Sequence, residues 1–262
     1  MALLARTIAV VAAFGLATVT VRARADDPAS RRTLTVSAAA SLTAAFRDLA
    51  ADFERMHPAV RVQLDFGASS TLAQRILAGA SADVFAAADE ATMATLVARG
   101  AAAGTPRIFA RNRLQIVVAA GNPKHVTALA DLARTDLVVA LCGASAPCGR
   151  YAAEAFRNAG IDPPPASREL DVKGVVTKVA MGEADAGLVY VTDVRAAGAK
   201  VAGIDVPEAT NVVVRYPIVV LRDAADPADA TAFVTHVSSS DGARVLARFG
   251  FLAPADPSPA GR

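Results

Sequence analysis

The stretch that decides the fold is LTVSAAASLT, residues 34–43. Its first residues, Leu34-Thr35-Val36, predict a short strand, and a run of small and hydroxyl residues follows directly. After that run, apolar residues recur at helical spacing on one face, and these are Phe46, Leu49, Phe53 and Met56. A strand, a short loop of small residues and an amphipathic helix are the opening of a βαβ unit.

The same alternation of strands and helices continues along the chain. Further strands are predicted at residues 60–66, 83–87, 114–119, 137–141, 187–191 and 218–221. Helical stretches separate these strands, and glycines typical of helix ends lie at Gly79, Gly100, Gly160 and Gly182. We therefore predict an α/β fold built from mostly parallel sheets flanked by helices.

Two extended segments favour two lobes over the plainer alternative of one doubly wound sheet. Residues 101–113 form a connection that contains Gly, Pro and Arg, and residues 212–216 form a second crossing before Pro217. The predicted units are lobe one (residues 33–111 plus 216–254), lobe two (residues 112–215) and a loose, Pro-rich tail (residues 255–262).

The first 25 residues resemble a secretory signal peptide. Arg6 precedes an apolar run over residues 8–21, and an Ala-x-Ala sequence ends at residue 25. The alternative is a membrane anchor, but the run is short for a span of ~20 residues. No cysteine precedes Cys142, which argues against a lipid anchor near the cleavage site. We therefore expect a protein of the periplasm.

Removing this segment changes the charge of the chain. The precursor has 27 basic and 25 acidic residues, and residues 1–25 contain three arginines and no acid, which leaves 24 basic residues. The mature chain is thus nearly neutral, and nothing in it indicates a nucleic-acid or membrane-surface partner.

Motifs of the common enzyme classes are missing. The sequence has no G-x-G-x-x-G, Walker, G-x-S-x-G or H-E-x-x-H motif. Its three histidines, His57, His125 and His236, are far apart, lack metal-ligand spacing and are expected at the surface. We expect neither an enzyme nor a resident cofactor, although a catalytic pair assembled in space stays an alternative.

Small and hydroxyl residues recur where loops enter helices. Four such openings lie at residues 38–43, 67–72, 146–151 and 170–174. The first N–H groups of a helix lack acceptors within it and carry partial positive charge, so they form a natural site for an anion. The alternative is that Ser41 and Ser69 are ordinary N-caps of their own helices.

Several fragments, taken together and in order, resemble the periplasmic molybdate-binding protein family. They are AAASLT (38–43), SSTLA (69–73), ADVF (82–85), AD (88–89), PCGRYA (147–152), GEADAGLVY (182–190) with Asp193, and Tyr216-Pro217. The resemblance covers nearly the whole mature chain. It implies a type II periplasmic-binding-protein fold with two lobes, two crossover strands and an oxyanion held between the lobes.

The resemblance also implies which residues bind the oxyanion. Ser41 and Ser69 would donate from lobe one, Cys148 and Val172 would offer backbone N–H groups from lobe two, and Tyr190 would offer its hydroxyl. The alternative for Tyr190 is a core aromatic at a strand end. At position 148 some relatives have a small aliphatic residue, but a main-chain contact tolerates that change.

The implied function is capture of molybdate, and also of tungstate, by a monomer that delivers it to an inner-membrane ABC permease with a cytoplasmic ATPase. Molybdenum would enter only as molybdate, through the same residues. One alternative is another tetrahedral oxyanion such as sulfate. Two others come from different classes: a periplasmic hydrolase using Ser41 or Ser69, for which no base is evident, and a regulator's sensor domain, for which a helix-turn-helix is missing.

Cys142 and Cys148 are the only cysteines and lie six positions apart. In an oxidising compartment such a pair predicts a disulfide; free buried thiols or a metal pair are the alternatives. We expect the bond to hold the turn at residues 147–149 in shape.

Overall fold

The computed structural model describes residues 31–254. The predicted signal peptide at residues 1–25 and the predicted tail at residues 255–262 lie outside the described residues. None of the helices in the described range is long and apolar enough to cross a membrane.

Nine strands and eight α-helices, with three short 3-10 helices, make up this range. They are β1 (Arg32–Ala39), a 3-10 helix (Ala40–Leu42), α1 (Thr43–Met56), β2 (Val60–Gly67), α2 (Ser69–Leu77), β3 (Val84–Ala86), α3 (Glu90–Ala98), β4 (Arg107–Ala119), a 3-10 helix (Leu129–Ala133), β5 (Val139–Cys142), α4 (Pro147–Ala159), β6 (Ser167–Glu169), α5 (Val172–Ala180), β7 (Ala186–Tyr190), α6 (Val191–Ala197), a 3-10 helix (Gly198–Lys200), β8 (Val201–Asp205), β9 (Val213–Val220), α7 (Pro227–Val237) and α8 (Ser240–Arg248).

The strands form two parallel groups joined by an antiparallel centre. In the order β2-β1-β3-β9-β4-β7-β5-β6, with β8 also paired to β4, β1 is parallel to β2 and β3. On the other side, β5 is parallel to β6 and β7. Parallel strands require crossover connections, and α1, α2, α4 and α5 lie between them in the chain. The predicted βαβ alternation is thus observed.

The long strand β4 connects the two groups. Residues 107–113 pair with β9, and residues 114–118 continue in the same strand to pair with β7. The extended connection predicted at residues 101–113 is therefore a strand over residues 107–113. A register shift between Ile108 and Ala110 interrupts the alternation of buried and exposed residues, which explains why this strand has no clear two-residue period. The lobe boundaries stay a prediction.

Two strands, β6 and β8, were not predicted. β6 is only three residues long and polar, Ser167-Arg168-Glu169, so it has no apolar pattern to signal a strand. β8 contains Gly203, where a Cβ would lie 2.6 Å from the side chain of Gln115. This glycine allows β8 to pack closely on β4, although glycine by itself disfavours a strand.

Aromatic side chains pack the core beneath α1 and α7. Phe46 and Phe53 of α1 and Phe233 of α7 are each fully buried. The ring of Phe233 lies 5.3 Å from that of Phe53 and 6.2 Å from that of Phe46, with edge-to-face geometry in both pairs. Such pairs add to the free energy gained from burial alone. These contacts hold α1 and α7 against the sheet that contains β1.

Replacing Phe233 by Ala should therefore lower the free energy of unfolding by about 3–5 kcal/mol, because the substitution leaves a cavity in the core and removes both aromatic contacts of this ring. Urea denaturation followed by circular dichroism measures this change. Met181→Ala is the matched control, since this side chain is 69% exposed and its loss should change the value by less than about 0.5 kcal/mol. Equal effects of the two substitutions would contradict the packing described.

Candidate functional site

A small cavity lies at the carboxyl ends of six strands, where ligands bind in open α/β sheets. The space between its lining atoms, including the part open to solvent, is about 220 Å³. Its lining consists mostly of small and hydroxyl residues, namely Ala39, Ala40, Ser41, Gly67, Ala68, Ser69, Ala88, Pro147, Cys148, Asp171, Val172 and Tyr190. The structure thus brings all five residues of the predicted oxyanion site, Ser41, Ser69, Cys148, Val172 and Tyr190, to one cavity. Their role in binding stays a prediction.

The two serines are not the N-caps of their helices. Ser69 is the first residue of α2, whose N-cap is Ala68, and Ser41 lies within the 3-10 helix that follows β1. Both serines are buried. The Ser69 Oγ accepts a hydrogen bond of 2.9 Å from the backbone N–H of Ala88. Its own hydrogen remains available as a donor.

The two helices on the opposite side begin with N–H groups at the cavity. Pro147 is the first residue of α4 and has no N–H, so Cys148 carries the first one. At α5, the Asp171 carboxylate caps the N–H groups of Lys173 and Gly174 at 2.8 and 3.2 Å. The N–H of Val172, the first residue of α5, has no acceptor within its helix. Each helix therefore contributes one backbone donor.

Tyr190 ends β7 and is 1% exposed. Its hydroxyl is buried and has no hydrogen-bond partner among the described residues. Buried hydroxyls are rarely left unpaired, because the loss of water costs free energy. Burial raises the pKa of the Tyr190 phenol well above its ordinary value, so the group keeps its proton and is a donor at neutral pH. This hydroxyl is an unused donor beside four others.

The backbone of Tyr190 is held by Asp193, which accepts its N–H at 3.2 Å. Asp193 also accepts a hydrogen bond of 3.3 Å from Lys173. Burial raises the pKa of Asp193, and the charge of Lys173 opposes that shift. Asp193 thereby ties the start of α6 to the start of α5.

A series of buried, hydrogen-bonded polar side chains lies behind Ser41. The sequence indicated no binding role for the other residues of this series. The Ser41 Oγ lies 3.0 Å from the Tyr216 Oη. The Asn112 Nδ2 donates to the Tyr216 Oη at 3.3 Å and to the Thr192 Oγ1 at 2.9 Å. The motif Tyr216-Pro217 was the available signal for Tyr216. Asn112 and Thr192 had none, because their meeting depends on how β4, β9 and α6 pack.

Charged side chains near the cavity are paired. Arg150 of α4 forms an ion pair with Asp89, the N-cap of α3, and donates to the Thr92 Oγ1 at 3.0 Å. This contact joins residues from the two predicted lobes. No Lys, Arg or His lines the cavity in the described part of the chain. The donors that face the cavity are therefore neutral.

The described residues contain no cluster of His, Cys, Asp or Glu that could hold a metal ion. The expectation of three surface histidines is wrong for His57 and His236, which are half-buried with their rings 4.2 and 5.9 Å from that of Phe53. Burial lowers the pKa of His236. Its position on the core side of α7 explains the difference.

Cys142 and Cys148 form a disulfide. Both are buried, at 1% and 4% exposure. The bond joins the end of β5 to the first turn of α4, next to Gly149. A Cβ at Gly149 would lie 2.1 Å from the carbonyl oxygen of Gly143. Close packing and the covalent bond thus fix the N–H of Cys148 relative to the sheet.

Comparison with known families and sequences gives consistent matches. A family model described as bacterial extracellular solute-binding protein matches residues 34–252. The molybdate-binding protein ModA of Mycobacterium tuberculosis is 44% identical over 223 residues, which cover 85% of this chain and 85% of that protein. The molybdate-binding protein ModA of Escherichia coli is 33% identical over 231 residues, which cover 83% of this chain and 88% of that protein.

Solved structures match as well. The periplasmic molybdate-binding protein of Azotobacter vinelandii has a TM-score of 0.74 at 21% identity, with 84% of this chain and 99% of that chain covered. The sulfate-binding protein SubI of Mycobacterium tuberculosis has a TM-score of 0.74 at 20% identity, with 87% and 88% covered. At such identities the likeness concerns the fold alone, and it confirms the predicted type II periplasmic-binding-protein fold.

The disulfide leads to a prediction about stability. Replacing both Cys142 and Cys148 by Ala should lower the free energy of unfolding by about 2 kcal/mol, the value expected for opening so short a loop. Urea denaturation of both proteins measures it. Mass spectrometry after alkylation without reductant provides the control, because the oxidised wild-type protein should take up no label on either cysteine. Labelling of both cysteines would contradict the bond.

Proposed function

The chain belongs to the family of bacterial extracellular solute-binding proteins and is 44% identical to a ModA protein, and we propose that it binds molybdate and delivers it to an ABC importer. The family's members are solute-binding proteins and not enzymes. In this proposal the protein acts in the periplasm, binds tungstate as well, and carries no cofactor of its own.

The observation that carries this proposal is the buried Tyr190 hydroxyl, which has no partner among the described residues and lines the same cavity as four other neutral donors. A tetrahedral dianion offers acceptor oxygens in several directions and no hydrogen. Such a ligand would satisfy Tyr190, the hydroxyls of Ser41 and Ser69, and the N–H groups of Cys148 and Val172 at the same time.

The energies are sufficient for tight binding. A hydrogen bond to a charged group contributes about 1.5–3 kcal/mol, so five of them give about 7.5–15 kcal/mol, and all but the lowest part of that range exceeds the ~8 kcal/mol that micromolar affinity requires. The cost of immobilising the ligand and of stripping its water reduces this surplus. Helix dipoles at α2, α4 and α5 add to the attraction.

Sulfate is the second candidate, because a sulfate-binding protein shares the fold and sulfate presents the same set of acceptors. Molybdate is favoured by the relatives at 44% and 33% identity. The two anions differ in size and not in charge or geometry. Hydrogen phosphate differs in chemistry, since its proton requires an acceptor.

A hydrolase that uses Ser41 or Ser69 is disfavoured by the contacts of these serines. The Ser41 hydroxyl forms a hydrogen bond with the Tyr216 hydroxyl, and the Ser69 hydroxyl accepts one from a backbone N–H. A serine nucleophile requires a base within hydrogen-bond reach. Neither contact supplies one at neutral pH, since burial raises the pKa of Tyr216.

Calorimetric titration of the mature protein tests the substrate. We expect molybdate and tungstate to bind with micromolar or tighter affinity, sulfate to bind more weakly, and hydrogen phosphate to give no heat. The same experiment run with each anion in turn provides the comparison. If sulfate gives heat and molybdate gives none, the proposed ligand is wrong and sulfate takes its place.

Tyr190→Phe tests the hydroxyl that carries the proposal. Molybdate affinity should fall about 10- to 150-fold, the equivalent of one lost hydrogen bond to a charged ligand. Because the hydroxyl has no protein partner, the unliganded protein should be as stable as the wild type or more stable. Tyr151→Phe is the matched control, since Tyr151 does not line the cavity. Unchanged affinity in Tyr190→Phe would remove this residue from the site.

A further inference from the structure

We propose that Tyr216 and Asn112 are positioning residues that direct the hydroxyl hydrogen of Ser41 into the cavity, where it donates to the oxyanion. This inference rests on the proposed function. It assigns a role to two buried residues that do not line the cavity themselves.

The polar side chains that connect Asn112 and Tyr216 to Ser41 are buried and must form their hydrogen bonds within the protein. Ser41, Tyr216, Asn112 and Thr192 are 5%, 0%, 1% and 3% exposed, so water does not compete for their hydrogen bonds. They form one chain of contacts from the loop after β1, through β9 and β4, to the start of α6.

The orientation of the Asn112 amide is fixed. Its Oδ1 accepts the backbone N–H of Arg113 at 2.9 Å, so its nitrogen faces the other two partners. The two hydrogens of Nδ2 go to the Thr192 Oγ1 and the Tyr216 Oη. The Tyr216 oxygen is therefore an acceptor toward Asn112.

The remaining hydrogen of Tyr216 then has one destination. Among the described residues the only other recorded partner of its hydroxyl is the Ser41 Oγ, at 3.0 Å. If Ser41 donated to Tyr216 instead, the buried Tyr216 hydrogen would have no acceptor, which is the costlier arrangement. Tyr216 thus donates to Ser41, and the Ser41 hydrogen is free for the cavity.

Ser69 shows the same arrangement by a different route, because the Ala88 N–H donates to its Oγ. The Asp171 carboxylate, the one anionic side chain in the described lining, accepts two N–H groups of α5 through its Oδ1. The hydrogens of both serines are therefore available to the ligand.

A double-mutant cycle on molybdate affinity tests the relay. Tyr216→Phe should weaken molybdate binding about tenfold in the wild-type background. In the Ser41→Ala background the same substitution should have no further effect, because the hydroxyl that Tyr216 directs is gone. A purely structural role of Tyr216 would give the same loss in both backgrounds, and that result would overturn the proposal.

Asn112→Ala is the second variant, and it keeps the test decisive if Tyr216→Phe does not fold. Without the Asn112 donor, Tyr216 can accept from Ser41, so the Ser41 hydrogen can turn away from the ligand. The loss of affinity should again disappear in the Ser41→Ala background. Tyr151→Phe serves as the control and should leave affinity unchanged in both backgrounds.

Wild-type protein that binds no oxyanion would refute the proposed function, whereas wild-type binding without coupling to Ser41 would refute the relay alone.

Discussion

The structure depends on one constraint, which is that the first N–H groups of a helix have no acceptor within the helix. The chain directs the starts of α2, α4 and α5 at a single cavity. Elsewhere it satisfies such groups internally, as Asp89 does at α3 and Asp226 does at α7. At the cavity the N-caps Ala68 and Ala146 have no capping side chain. At α5 the N-cap Asp171 bonds the N–H groups of Lys173 and Gly174 but not that of Val172, so this helix also begins with an N–H group at the cavity.

Rigid support keeps these donors in place. The disulfide and Gly149 fix the start of α4 against β5, and Asp193 links the starts of α5 and α6. Preorganised donors need no reordering when a ligand arrives, which reduces the entropic cost of binding. The ion pair of Arg150 with Asp89 brings the two sides together around the same space.

Most of the strands and four helix openings at the cavity could be predicted from local signals in the sequence, whereas the individual site residues, Tyr190 above all, were implied by the family resemblance. Val60–Gly67 alternates clearly, and Ser41 and Ser69 stand in short motifs where strands end. What could not be predicted depends on packing. Asn112 meets Tyr216 only because β4 pairs with β9, and a bulge in β4 obscured the strand that carries it. The half-buried His236 likewise reflects the side of α7 that faces Phe53.

A lining without Lys, Arg or His has a consequence for the loaded protein. If the protein binds a dianion as proposed, occupied and empty molecules differ by the charge of the ligand, and no positive side chain in the described lining offsets that charge locally. Residues 26–262 contain 24 basic and 25 acidic residues, which makes that difference a large part of the total electrostatic field. A receptor that senses surface potential would therefore meet two distinguishable molecules even where their shapes agree.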